Sequence, residues 1–354
     1  MTVEDRRQYF RRRPLKIGIL IALCLVMLVL CIYSISINSF SLTMEEAWGA
    51  VLNRIRGIEP STYYEKMVDY VAIEVNSPRT IIGVFVGAML AISGAIMQTV
   101  TRNALADPYT IGISSAALFG VTISIIYGIC IIPGVTGDTA KCVNAFVFAM
   151  IPAVAIIFIS TFRKLTPTMM ILVGIGLMYL FSSFTTMMKF NASEESLQEI
   201  YEWSLGTLSE LTWSNVMPVI VVFVITTAIL LAISKKVNIL TAGDNVAQSL
   251  GENPLRIKVI CFVVTSIGVA ICVCYTGTIG FVGLVAPHIA RIVVGNNVRS
   301  LIIPSALIGA LFIIVGDIIV RSIPGGLPVG VITALIGSPL FIYFLFKGRK
   351  AANF

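Results

Sequence analysis

Residues 17–37 read IGILIALCLVMLVLCIYSISI, an unbroken apolar run introduced by Arg6, Arg7, Arg11, Arg12, Arg13 and Lys16. At 1.5 Å per residue, a helix of that length spans about 31 Å, the thickness of a bilayer's hydrocarbon core and more than the core of a secretory signal requires. The run is therefore expected to be an uncleaved first membrane helix. Leu30 stands directly before Cys31 and is too bulky for a lipoprotein cleavage box, so no lipidation is expected.

Outward from this run the same character continues. Of 354 residues, 57% are hydrophobic and only 12% charged, with a mean hydropathy of +0.94. That leaves too little polar surface to cover a water-soluble globule and no polar stretch long enough for a soluble catalytic domain. Further apolar segments are expected at 80–100, 111–132, 143–162, 168–189, 214–234, 257–275, 279–294, 301–320 and 328–346, ten in all with the first. The eighth is short and rich in glycine, so hydropathy alone also allows nine crossings, or a re-entrant segment in its place. The expected organisation is a basic N-terminus at 1–16, one all-α transmembrane domain at 17–346 with a polar loop at 235–256, and a short tail at 347–354.

The formal charge of +7 does not mark a nucleic-acid surface, because the basic residues sit in short loops between apolar runs. With ten crossings and a cytoplasmic N-terminus, 18 of the 25 Lys and Arg fall inside, Arg163 and Lys164 among them. Arg54, Arg56, Lys66, Arg79, Lys141, Lys189 and Arg321 fall outside, and the positive-inside rule is satisfied with both termini cytoplasmic. The long external segments 38–79 and 190–213 have room for short amphipathic surface helices. The seven cysteines show no paired metal spacing and read as free thiols, with no metal site expected.

Four stretches could carry function. In the polar loop, AGDNVAQSLGENP at 242–254 offers Asp244 as an N-cap, Val246 and Leu250 on one face, and Gly251 with Pro254 as a stop. The pattern reads first as an ordinary amphipathic loop helix; its functional counterpart is a docking knob entering a partner's groove. GTIGFVGLVAPHIAR at 277–291 repeats Gly277, Gly280 and Gly283 at every third residue, a spacing that permits close helix packing, before Pro287 breaks or kinks the run ahead of His288, the only histidine. TRNALADPYTIGISSAALFG at 101–120 joins two apolar runs through polar residues, as a pathway constriction or a plain tight turn. Asp317 is the one carboxylate well inside an apolar run, expected near mid-bilayer and paired with Arg321 one helical turn on. One paired acid is thin machinery for ion coupling. With no G-x-x-x-x-G-K-[ST] phosphate loop in the chain, ATP must be hydrolysed elsewhere.

Four motifs together, RNALADPYTIGISSAALFG at 102–120, GDNVAQSLG at 243–251, GFVGLVAPHIAR at 280–291 and GDIIVRSIPGGLPVGVITALIGSPLF at 316–341, resemble the permease subunits of the iron-siderophore, heme and cobalamin ABC importers, the type II importer fold. The resemblance implies a bundle of about ten helices and a homodimer or heterodimer with a second permease around a central path. It implies two cytoplasmic ATPase subunits carrying the ATP and magnesium, an extracellular or periplasmic substrate-binding protein, and residence in a bacterial plasma membrane among its lipids. No cofactor is expected on this chain, and no catalytic residue. The resemblance maps ATPase coupling onto Asp244, Val246, Ala247, Leu250 and Gly251. It maps a cytoplasmic gate onto Asn103 and Leu105, and binding-protein docking onto Arg56 and Arg321 with Arg54 beside them. Ala104 stands where the family usually has proline, Asn245 where it often has an acid, and Gly326 where an acid commonly precedes LPVG. The expected function is ATP-driven import by alternating access, with ferric siderophore ahead of heme and cobalamin as cargo. The rival from another class is a stand-alone secondary transporter, and an export permease is a further one.

Overall fold

The computed structural model describes residues 3–37, 42–162, 166–323 and 325–351, so Arg163 and Lys164 lie outside the described residues. The chain is a helical bundle without a strand among those residues: α1 (Val3–Ser36), α2 (Met44–Ile55), α3 (Tyr63–Asp69), α4 (Ser77–Thr101), α5 (Ile113–Tyr127), α6 (Gly137–Phe162), α7 (Pro167–Lys189), α8 (Glu194–Leu205), α9 (Trp213–Leu240), α10 (Asp244–Ser249), α11 (Pro254–Thr276), α12 (Val282–Val294), α13 (Val298–Ser322) and α14 (Val329–Ala351). Each of the ten apolar runs contains a helix. Seven of the helical stretches are long and apolar enough to cross a membrane, and shorter apolar helices follow at Ile113–Tyr127, Val282–Val294 and Val329–Phe344.

The short surface helices fall where the two long polar segments allow them. α2 and α3 each start on a capping box, Thr43 with Glu46 and Thr62 with Glu65, in which threonine and glutamate satisfy each other's backbone N–H. Hydrogen bonds from Thr43 hold the Glu46 carboxyl below its ordinary range. A π-helical stretch, Tyr70–Asn76, carries α3 without a break into α4.

α4 is the axis of the bundle. The apolar stretch running from α3 through α4 is 83% buried in its best membrane-length window, against 11% for α1 and 22% for α7 and α9. A helix apolar all round and enclosed by protein is an inner helix, whereas apolar helices left open face lipid. Close approach is set by glycine: a Cβ on Gly94 would lie 1.9 Å from the Gly283 carbonyl oxygen, and one on Gly87 would lie 2.4 Å from that of Gly309. Because the obstacle is backbone, no rotamer relieves it. Gly94→Val should therefore force α4 from α12, with overpacking worth about 1–3 kcal/mol or more. Gly176, where an added Cβ would meet nothing within 4 Å, supplies the control. Thermal unfolding in detergent should show a lowered midpoint for Gly94→Val beside an unchanged Gly176→Ala.

The glycine repeat at 277–283 is not one helix face. Gly277 caps the end of α11 at φ +66°, Gly280 lies in the segment before α12 with open space around it, and only Gly283 is helical and packed, against Leu90. The reason is an interruption of the helix inside the bundle: the chain turns back between α11 and α12, and α12 has only 13 residues, too few to cross a bilayer alone. Pro287 stands within α12, which runs on past it.

Candidate functional site

At one end of the bundle the last turn of α4, the last turn of α9, α10 and the first turn of α11 converge. α4 finishes on Arg102 in the left-handed region (φ 50°), with the Asn103 N–H reaching back to the Gln98 carbonyl at 3.1 Å, a helix end where glycine is the usual occupant. Asn103 Oδ1 then accepts the Leu105 N–H at 2.9 Å, tightening the turn and leaving the Leu105 side chain exposed. Asp107 and Thr110 close the other half: the Thr110 N–H donates to Asp107 Oδ1 at 2.8 Å, and Thr110 Oγ1 donates to the Asp107 carbonyl at 2.8 Å. Burial pushes the Asp107 carboxyl up to about 6 against those hydrogen bonds.

This irregular backbone is covered by protein. Ala106, Asp107 and Ile111 are buried, and the Ile279 N–H donates to the Tyr109 hydroxyl at 3.2 Å, so the turn packs on the segment between α11 and α12. Gly174 of α7 meets the same turn, where a Cβ would lie 2.6 Å from Ile111 Cα.

α10 is joined to this turn by one carboxylate. Asp244 Oδ1 accepts from Arg102 Nη2 at 2.5 Å, and Asp244 Oδ2 accepts from Lys258 Nζ at 2.5 Å. Arg102 Nε also donates to the Leu240 carbonyl at 3.0 Å. Lys258 is 1% exposed at the start of α11, so Asp244 is the counter-charge of a buried ammonium. The expected N-cap role of Asp244 is corrected: Gly243 is the cap residue and Asp244 the first helical residue, its side chain drawn away to the two cations. Val246 and Leu250 are exposed, 44% and 64%, whereas Ala247 is fully buried beneath them. Ala247 is thus excluded from the outward face and packs the small helix onto the body. Gly251, at φ +79°, and Pro254, in the first turn of α11, end α10 and start α11 as expected.

At the opposite end, Asp317 binds two arginines. Arg79 donates through Nε (2.8 Å) and Nη2 (2.6 Å) to Oδ1, and Arg321 Nη2 lies 2.6 Å from Oδ2. Arg321 Nη1 also donates to the Ser34 carbonyl at 2.8 Å and to Asn76 Oδ1 at 3.2 Å. Three expectations change here. Arg79, read as an external loop charge, is buried in the first turn of α4. Asp317 lies five residues before the end of α13, level with the start of α4 rather than at mid-bilayer. Arg321 is paired with Asp317 as expected, but its side chain is 7% exposed and occupied by Ser34 of α1 and Asn76 of the π-helical stretch, so it cannot at the same time meet an outside protein. Arg54 is exposed and pairs loosely with Asp69 (3.4 Å) and Glu74 (3.3 Å), while Arg56 is exposed at the end of α2. His288 lies against Phe344, ring centroids 5.2 Å apart and planes tilted by 39°, and Arg291 hydrogen-bonds Gln98.

Arg102, Lys258 and Arg79 figure in the sequence only as loop charges. Their partners are 142, 14 and 238 residues away, and no local spacing announces them.

The model of the FecCD transport family matches residues 25–347. The chain is 38% identical to the cobalamin import system permease protein of Halobacterium salinarum over 77% of its own length and 72% of that protein's. It is 34% identical to an Fe(3+)-citrate import system permease protein of Bacillus subtilis, over 77% and 80%. A solved inward-facing structure of a metal-chelate type ABC transporter superposes with a TM-score of 0.81 at 29% identity, covering 93% of this chain and 99% of that one.

Proposed function

Since the chain belongs to the FecCD transport family and is a multi-pass permease of an ABC importer, we propose that it carries an iron chelate of the ferric siderophore class into the cytoplasm by alternating access. In this reading the end bearing α10 is cytoplasmic, with both termini, and ATP and magnesium act only on two separate ATPase subunits. A second permease, identical or different, completes the path. A binding protein delivers cargo to the other end, where Arg56 and Arg54 are exposed cations that steer its approach.

The observation that supports this reading is the bridge Arg102–Asp244–Lys258. α10 offers Val246 and Leu250 to a partner's groove, and its first residue is bonded to the arginine immediately before Asn103 and Leu105. A push on α10 therefore reaches the gate turn through a charge-assisted hydrogen bond. The Lys258 branch holds α10 to the body at the same time. Arg102→Met breaks the first branch and leaves the second. In proteoliposomes holding the permease, its ATPase and its binding protein, this variant should retain ATP hydrolysis while uptake per ATP falls several-fold; unchanged coupling would remove the bridge from the mechanism.

Ferric siderophore is preferred because it is the commonest use of the family, and the Fe(3+)-citrate relative accords with it. Uptake of labelled ferric siderophore, heme and cobalamin by the same assembly decides the cargo. Transport of cobalamin or heme with no transport of any ferric chelate would overturn the preference.

A further inference from the structure

A cavity of about 830 Å³ opens at the end of the bundle opposite α10, between the first turns of α6, the chain from Trp203 to Asn215 and the last turn of α11. Asp138, Lys141 and Glu210 border it, and Cys142 and Cys274 both line it. Cys142 sits on α6 and is half-buried; Cys274 sits on α11 and is buried. The Cys142 thiol donates to the Cys274 carbonyl at 3.1 Å, which sets the two cysteines against each other across α6 and α11. Cys274 also donates to the Ile271 carbonyl at 3.2 Å.

A cysteine sulfur in contact with the backbone of a second cysteine across packed helices brings the two residues within reach of each other. A disulfide needs Cβ atoms about 3.5–4.5 Å apart, and a sulfur 3.1 Å from the other cysteine's own carbonyl oxygen brings the pair close to that range. We propose that Cys142 and Cys274 are a dithiol–disulfide pair, closed by a low-molecular-weight disulfide that enters the cavity from outside the cell. This rests on the topology proposed above, which opens the cavity to the side where disulfides persist.

The steps balance without a further reagent. The thiolate of Cys142, the more accessible sulfur, attacks one sulfur of the small disulfide and expels one thiol, leaving a mixed disulfide on α6. The Cys274 thiolate then attacks the Cys142 sulfur and expels the second. The protein loses two S–H bonds and gains one S–S bond; the small disulfide is reduced to two thiols, which take up the two protons. The product staples α6 to α11 on the cavity wall, tying together positions 132 residues apart.

The test uses the full-length permease in two settings. Detergent-solubilised protein treated with 4,4′-dithiodipyridine, alkylated, digested and weighed by mass spectrometry should yield a peptide linking Cys142 to Cys274, abolished by reduction and absent from Cys142→Ser. Both peptides remaining alkylated, or a mixed disulfide stalled on Cys142, would overturn the pair. Glutathione disulfide, which does not cross membranes, is then applied to vesicles of each orientation. Linkage in right-side-out vesicles alone supports the external trigger. Linkage only in inverted vesicles, after a positive result in detergent, would overturn the topology while the pair itself stands.

Discussion

Replacing Asp317 by alanine is expected to destabilise the folded chain by about 3–5 kcal/mol, because removing one member of a buried ion cluster leaves uncompensated charge. Asp317 is fully buried and is the carboxylate shared by Arg79 and Arg321, whose side chains are 9% and 7% exposed. Without it two guanidinium groups face each other across α4 and α13 with only neutral partners such as Ser209, Asn76 and the Ser34 carbonyl. Thermal unfolding in detergent should show a large drop in midpoint. A triple variant, Asp317→Leu with Arg79→Met and Arg321→Met, should recover much of the loss, since apolar packing often replaces a buried ion cluster without net cost. An Asp317→Ala protein as stable as the parent would mean that the cluster is hydrated and contributes little.

The second large effect is expected at Leu250. Its side chain is 64% exposed at the C-cap of the six-residue α10, so Leu250→Asp should leave the permease folded. In a partner's apolar groove, however, the same carboxylate would be desolvated without a counter-charge. A central anchor lost from such an interface typically costs about 2 kcal/mol or more, roughly thirtyfold in affinity. ATP-dependent uptake should fall accordingly, and pull-down of the ATPase should fall with it. Ala247→Asp forms the contrast: Ala247 is fully buried, so that change should harm folding before docking. Full uptake by Leu250→Asp would refute the docking role of α10.

What could be read from the sequence, and what could not, divides along a physical line. The apolar runs form helices because membrane length and composition are properties of a continuous segment, and the runs at 17–37 and 214–234, which fall in α1 and α9, need no tertiary information. α10 is visible because a stop at Gly251 and Pro254 is local chemistry. The pairing of Asp317 with Arg321 is visible because four residues make one helical turn. Arg79 joins that pair from 238 residues away, and Arg102 reaches Asp244 across 142, distances at which a single chain carries no periodic signal. The glycines at 277–283 mislead for a related reason. Spacing by three fits a helix face, but Gly277 adopts φ +66° to end one helix, and nothing in that spacing distinguishes a packing stripe from a turn placed inside the bundle. The sequence offers Arg321 two roles that one side chain cannot fill at once, and burial decides for the ion cluster.

The docking face of α10 and its bond to the turn beside Leu105 describe a machine driven from outside the chain. The most direct measurement compares two sets of vesicles loaded with the same purified permease and cargo. With the ATPase and binding protein present, labelled cargo should accumulate inside above its external concentration only when ATP is supplied; with the permease alone, no gradient should form under any ion gradient imposed. Accumulation against a gradient by the permease alone would contradict the account.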